Sequence, residues 1–469
     1  MNETLSTFDA IVVGAGQAGP SLAARLAAAG NRIAVVERHQ FGGTCVNVGC
    51  TPTKSMVASA YVAHLARRGG DFGIKTSGPV DVDLKAVRER VDGIVGPRRL
   101  RIETWLADLP GCTIIRGHAR FVAPGVLTVG DQRLTAPQIF LNVGGRAAAP
   151  ALPGIDEIPW LSSTDILALD VIPKHLVVVG GSYVGLEFAQ MFRRFGAAVS
   201  VVEKGPALVA REDSVVSAEI QAILEREGIA VRTRAECIHL AAHPDGALVG
   251  LDCETGDRGI VASHVLLAVG RRPNTDDLGL EAAGVQIDAR GYIVVDAGLR
   301  TTAPGVWALG DCNGRGAFTH TAFNDFEIVA AELLDGVHRS VEDRIVSYAL
   351  FIDPPLGRAG LTETQARATG HRVRVGERRM TRVSRAVEKG EDQGLMRIVV
   401  DADTDRILGA AILGPGGDEA VHTVLAAMGA SLSASDLQRL VGIHPTVAEL
   451  IPTIAGELGP VLDPFSPTR

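Results

Sequence analysis

The sequence predicts an α/β protein, and three observations carry the prediction. A strand, a glycine-rich turn, a helix and a second strand open the chain. The same order of elements returns far downstream. The length of 469 residues exceeds what one ordinary core uses, and at roughly 150 residues per domain it points to about three domains.

Phe8 to Val13 is short and apolar, as a buried strand is. Gly14, Gly16 and Gly19 follow, a helix pattern runs to about Ala29, and Asn31 to Glu37 reads as the next strand. In such a unit the first glycine permits a tight turn, the second lets the backbone approach a pyrophosphate, and the third lets helix and strand pack closely. The helix N-terminus offers free N–H groups and the positive end of its dipole to phosphate. Glu37 closes the second strand, where an acid accepts hydrogen bonds from a ribose. Downstream, His175 to Val179 is a strand, Gly180 to Gly185 the turn, a helix runs to about Arg194, and Ala198 to Glu203 is the next strand. Ser182 stands where the middle glycine is expected, which a negative φ tolerates. Glu203 favours a ribose 2′-hydroxyl and repels a 2′-phosphate, so NADH is preferred over NADPH, although Lys204 and Arg211 could serve the phosphate. Two such units imply two Rossmann-like dinucleotide-binding domains.

Between them lies a charged helix pattern near Leu84 to Leu106, with short β-like pieces at Thr113 to Arg116 and Phe140 to Val143. Pro150, Pro153 and Pro159 mark a linker. From Ile293 a strand pattern leads to Val306–Asp311, and after about Arg339 the chain turns to β-rich alternation, then helices, then a segment around His444.

Hydrophobic residues at 46% and charged residues at 21% are globular rather than disordered proportions. A net charge of −8 argues against nucleic acid or an anionic membrane as main partner, since either favours a basic surface. Met1 to Asp9 is polar and acidic, without the basic start and apolar core of an export signal. The apolar run from Ala10 is broken by glycines and Arg25, short of the roughly 20 residues that span a bilayer. The expected location is the cytoplasm. Six cysteines are then no disulfide framework, and a close pair is catalytic or metal-binding sooner than structural.

That pair is Cys45 and Cys50, followed by Thr51-Pro52-Thr53-Lys54. Pro52 suits the first turn of a helix, here expected to run to Leu65, so both cysteines sit at or just before a helix N-terminus, where the dipole favours the thiolate. Three chemistries compete. A zinc site usually needs two further Cys or His ligands, and no second close pair exists. A structural disulfide is disfavoured by the compartment. A redox disulfide beside a nucleotide-bound flavin is the strongest of the three, and no metal site is expected. Cys112, Cys237, Cys253 and Cys312 lack close cysteine neighbours and read as small buried hydrophobes.

The stretch from Gly42 to Lys54 resembles the active-site segment of the class I pyridine nucleotide–disulfide oxidoreductases, which include glutathione reductase, dihydrolipoamide dehydrogenase and mercuric reductase. The likeness spans nearly the whole chain, through Gly270-Arg271-Arg272-Pro273-Asn274, Thr302 to Asp311, and His444-Pro445-Thr446-Val447-Ala448-Glu449. It implies FAD and NAD(P)H as cofactors and a three-part chain. Residues 1–150 and 275–340 would form a discontinuous FAD-binding domain, 151–274 an NAD(P)-binding domain, and 341–469 an α+β C-terminal dimerisation domain.

The resemblance also implies roles. Cys50 would lie nearest the flavin as the charge-transfer thiolate, and Cys45 would be the interchange thiol that attacks substrate. Lys54 would sit near the flavin and pair with Glu187. Tyr183 would cover the nicotinamide pocket and swing away. Gly43, Thr44, Gly310 and Asp311 would contact FAD, and Gly270 would belong to the cofactor sites. His444, oriented by Glu449, would act on the partner subunit's thiols, which implies a homodimer with shared active sites. Physically, Pro445 suits a first helical residue and leaves His444 in a capping position, within reach of Glu449 as the carboxylate that fixes its tautomer.

The stretch Met56–Ala60 is most similar to mercuric reductases. Those enzymes deliver Hg(II) through a vicinal cysteine pair near the C-terminus, and this chain has no cysteine after Cys312. Soft-metal transfer needs a relay of thiolates, so the expected substrate is a small disulfide or dithiol. A quinone or metal-ion reductase is the first alternative. A flavin and thiol redox sensor is the second.

Overall fold

The computed structural model describes residues 5–251 and 259–462. Cys253, one of the expected buried hydrophobes, lies outside the described residues. The elements that build the framework are, in chain order, β1 (Ala10–Val13), α1 (Gly19–Ala28), β2 (Ile33–Glu37), α2 (Gly43–Asn47), α3 (Cys50–Arg67), α4 (Leu84–Ala107), β3 (Cys112–Arg116) and β4 (Gln138–Leu141). There follow β5 (His175–Val179), α5 (Tyr183–Phe195), β6 (Ala198–Val202), β7 (Ala230–Arg232), β8 (His264–Leu267) and β9 (Val306–Ala308). The chain continues through α6 (Thr319–Ala330), β10 (Ser347–Leu350), β11 (Leu356–Gly360), β12 (Val373–Arg379), β13 (Leu395–Asp401), β14 (Ile407–Leu413) and α7 (Gly417–Gly429).

The first sheet has the strand order β9-β4-β1-β2-β3, all parallel. Its central strand is buried on both faces, as a parallel sheet covered by helices requires. The order reverses beside β1, and in open α/β sheets such a switch point opens a crevice at the strand ends. The second sheet, β7-β6-β5-β8, is also parallel and repeats the arrangement. The third, β10-β11-β14-β13-β12, is antiparallel, with α7 packed against β11 and β14.

One apolar cluster ties these parts together. Met56 and Ala60 of α3 meet Leu186, Phe188 and Ala189 of α5, and Leu350 and Leu356 of the third sheet join them. Each large apolar side chain buried there contributes roughly 1.5–3 kcal/mol, so the mutual placement of the three sheets is strongly determined.

The first glycine turn is as tight as its sequence demands. Gly14 has φ +103°, and a Cβ there would lie 2.3 Å from the Asn142 carbonyl oxygen. Gly14→Ala is expected to lower the thermal midpoint by more than Gly30→Ala does. Gly30 has φ +87° but open space around it. The control thus carries only the backbone penalty of about 1 kcal/mol. Equal midpoints would remove the steric argument.

Candidate active site

Cys45 and Cys50 occupy two different helices. Gly42, in the left-handed region at φ +92°, starts the short α2 that carries Cys45. Asn47 stitches this turn, its Nδ2 donating to the carbonyls of Phe41 and Gly43 at 2.9 Å each. Gly49 breaks the chain direction, and Cys50 is the first residue of α3. The cysteines sit at two helix N-termini rather than one, Cys45 in the first turn of α2 and Cys50 as the first residue of α3, which begins two residues before Pro52.

Both are free thiols, and they hydrogen-bond each other. The Cys45 thiol holds the Cys50 thiol down to about 6, aided by Thr319 and by the Lys54 charge, against the opposing effect of burial. Thr319 Oγ1 lies 3.3 Å from Cys50 Sγ. The same bond to Cys50, together with burial, pushes Cys45 far above the usual thiol range. At neutral pH the charge therefore rests on Cys50 and the proton on Cys45.

Lys54 lies one turn into α3. Its Nζ is 2.6 Å from Glu187 Oε2 and 4.6 Å from the centre of the Phe351 ring. Glu187 is buried, and its other oxygen accepts from the Phe351 amide at 3.0 Å. Tyr183 begins α5, one turn before Glu187 and so on the same face. The Tyr183 hydroxyl is 3.4 Å from Glu212 Oε1.

His444 follows a different course from the sequence expectation. Pro445 is not a first helical residue. The helical turn begins at Ala448, and the His444–Pro445 bond is cis. Glu449 nevertheless reaches the imidazole, 3.0 Å from Nδ1. A carboxylate only accepts, so Nδ1 donates and Nε2 is left as the basic nitrogen. The imidazole is 74% exposed, and among the described residues no hydrogen bond joins it to Cys45 or Cys50. His320 is the second residue of α6, and its Nε2 donates to the Ser347 carbonyl at 2.8 Å.

The two glycine turns present matching donor sets. In the first, Glu37 takes the amides of Ala15 at 2.8 Å and His39 at 2.7 Å. A Cβ on Gly43 would sit 2.8 Å from the Gly16 Cα, so two loops meet where only glycines fit. The first N–H groups of α1 have no intrahelical partners. Beyond them, the half-buried Asp311 follows Gly310 and lies 3.6 Å from Arg271, the residue after Gly270. Burial raises the Asp311 carboxyl. In the second turn Glu203 takes the amides of Gly181 and Gly205, each at 2.6 Å. Ser182 is extended at φ −111°, which its side chain tolerates. A cradle without side chains, free helix-terminal N–H groups and a fixed acid at the next strand fit a dinucleotide in each unit, FAD at the first and NAD(P)H at the second.

Sequence reasoning missed Thr319, Glu212, Tyr348 and Phe351. Cys312 is buried and pushed up to about 12 by that burial, and Cys112 is half-buried. Cys237, read as a free small hydrophobe, is instead disulfide-bonded. Among the described residues no helix is long and apolar enough to cross a membrane.

Residues 8–325 match the pyridine nucleotide-disulphide oxidoreductase family, and residues 346–455 match its dimerisation domain. The chain is 34% identical over 453 residues to the probable pyridine nucleotide-disulfide oxidoreductase RclA of Escherichia coli (strain K12), covering 95% of this chain and 98% of that one. It is 34% identical over 447 residues to a dihydrolipoyl dehydrogenase of Thermus scotoductus, covering 95% and 96%. A solved Cu(II) complex of the HOCl-induced flavoprotein disulfide reductase RclA from Escherichia coli superposes with a TM-score of 0.88 at 33% identity, over 96% of this chain and 99% of that one. The chain belongs to the pyridine nucleotide-disulphide oxidoreductase family. It is an FAD-dependent oxidoreductase that works with NAD(P)H and a disulfide redox centre.

The charge division in the thiol pair has a sign that can be measured. In the reduced protein, iodoacetamide labelling of Cys50 should be fast above pH 6 and fade as pH falls through about 6. Lys54→Gln should move that midpoint upward. Peptide mass spectrometry reads both, and a midpoint near an ordinary thiol value would contradict the assignment.

Proposed function

We propose that this enzyme is a homodimeric NADH-preferring reductase of a small disulfide, with the division of the chain set out above. One observation carries the reading: Cys50 opens α3 with its Sγ 3.3 Å from Thr319 Oγ1 and Lys54 one turn on, while Cys45 sits apart in the short α2. The chemistry FAD supplies when bound is acceptance of hydride from NAD(P)H and delivery of two electrons to the Cys45–Cys50 disulfide. The residues to hold it are Gly14, Gly16, Gly19, Glu37, Gly43, Thr44, Lys54, Gly310 and Asp311. Gly180, Gly185, Glu203 and Gly270 would serve the nicotinamide nucleotide, with Tyr183 as a lid.

Cys50 as thiolate suits contact with the flavin. Cys45 must lose its proton before it attacks, so it needs a base, and His444 with Nε2 free is the candidate. The Cys45 thiolate attacks one substrate sulfur, forms a mixed disulfide and releases the first thiolate, which His444 protonates. Cys50 then attacks the Cys45 sulfur, restores the Cys45–Cys50 disulfide and releases the second thiolate, which takes its proton from solvent. The base would come from a second chain. Val441 at 92%, Ile443 at 80% and Leu440 at 48% stand exposed beside His444, an apolar strip that a second copy would cover.

Complementation tests the shared site. Cys45→Ser and His444→Gln homodimers should each lack most disulfide activity. Co-expressed in equal amounts, random pairing should restore about a quarter of wild-type activity, because half the dimers carry one intact site. No recovery would place base and thiols in one chain.

The Cu(II) complex of RclA favours a second reading, reduction of a metal ion or quinone without a disulfide substrate. Turnover with Cu(II) or quinones that survives in Cys45→Ser, alongside lost disulfide turnover, would favour a route that bypasses the interchange thiol. Wild-type turnover of Cu(II) without turnover of any disulfide would displace the primary reading.

A further inference from the structure

We propose that Glu212 is the latch of the Tyr183 lid, a positioning residue whose carboxylate, shared with Tyr348 and neutralised by Arg358, fixes the resting place of the ring and so sets how tightly the nicotinamide nucleotide binds. The proposal rests on the reading of Tyr183 as a lid.

The two oxygens of Glu212 have different duties. Oε2 takes the Arg358 guanidinium, with Nε at 3.0 Å and Nη2 also in contact. Both side chains are almost wholly buried. A carboxylate out of water is costly unless it is paired and hydrogen-bonded, and the Arg358 fork meets that need. Oε1 is left for two phenols, Tyr348 at 2.7 Å and Tyr183 at 3.4 Å.

The two tyrosines are unequally held. Tyr348 lies in β10, and its ring stacks on Phe318 at 5.7 Å and 17°. Phe318 stacks in turn on His320 at 5.3 Å and 12°, and His320 is bonded to the Ser347 carbonyl. Tyr183 meets this row only edge-on, 5.3 Å from Tyr348 at 77°. Its hydrogen bond to Glu212 is the long one. The fixed side of the latch is therefore β10 with its aromatic row, and Tyr183 is the part that yields. Tyr183 also stands directly after the glycine turn that holds Glu203, on the same helix face as Glu187 and hence toward Lys54. An approaching nucleotide must displace a ring whose closed state Glu212 and Tyr348 favour. A site that is closed part of the time binds with an affinity reduced by its open fraction.

The test is stopped-flow reduction of the flavin in the holoenzyme by NADH or NADPH, whichever reduces faster, over a range of concentrations. Tyr183→Phe and Tyr348→Phe each remove one phenol and leave the Glu212–Arg358 pair intact. Tyr183→Phe should lower the apparent Kd by about threefold to tenfold, the range for one hydrogen bond, whereas Tyr348→Phe leaves Oε1 to Tyr183 alone and should not lower it. The double variant should bind no tighter than the tighter single, because both phenols act through one oxygen. Glu212→Gln with Arg358→Met removes carboxylate and counter-charge together and should tighten binding likewise, and the phenylalanine variants decide if that pair fails to fold. A merely structural role would lower the thermal midpoint or the limiting rate without tightening binding. An unchanged Kd in Tyr183→Phe, or a lowered Kd in Tyr348→Phe, overturns the latch. If Tyr183→Ala also leaves Kd and limiting rate unchanged, the lid itself is refuted. If Tyr183→Ala tightens binding where Tyr183→Phe does not, the lid stands and the latch falls.

Discussion

Lys54 and Glu187 join the helix that carries the thiols to the helix that follows the second glycine turn. The Glu187 carboxylate is buried, and among the described residues Lys54 and the Phe351 amide compensate it. Breaking such a pair from one side leaves a charge stranded out of water, which typically costs about 3–5 kcal/mol. Met56, Ala60, Leu186 and Ala189 of the same two helices share one buried apolar cluster that holds them together. Because Phe351 follows β10, the third sheet is fastened to the same carboxylate. Three parts of the chain thus meet on one oxygen pair, and the Lys54 charge that lowers Cys50 is held in place by it.

The thiols use this frame asymmetrically. A break at Gly49 gives Cys50 the start of a long helix and leaves Cys45 inside a short one. Two identical side chains five residues apart thereby acquire opposite protonation. The difference arises from their mutual hydrogen bond and from the Lys54 charge, which acts on Cys50. A base is required for only one of them, and the exposed His444–Glu449 pair has its proton already assigned to the nitrogen that faces Glu449.

Much of the frame could be read from the sequence because the deciding interactions are local. Gly14, Gly16 and Gly19 sit between an apolar strand and a helix, and Glu37 and Glu203 each fold back within their own unit onto nearby amides. His175–Val179 was readable to the residue. What escaped depends on contacts between distant positions. Glu212 meets Arg358 across 146 residues, and Thr319 meets Cys50 across 269. Neither leaves a periodic or compositional trace. The split of the thiols between two helices escaped because Gly49 is a break that Pro52 obscured. At His444 the turn depends on backbone geometry around Pro445 that a helix-start rule does not describe.

The strand β9 completes the first sheet by pairing with β4, yet it is made only after the whole second sheet. During synthesis at about 5–20 residues per second, the β4 edge waits roughly 10 to 30 s for its neighbour. That edge, Gln138-Ile139-Phe140-Leu141, is almost wholly buried in the finished sheet, and an open apolar edge invites pairing with other chains. Birth order therefore makes the N-terminal unit mature after the second one, even though it emerges from the ribosome first. The middle of the chain folds as an insertion within an unfinished neighbour, and its speed sets how long that neighbour stays vulnerable.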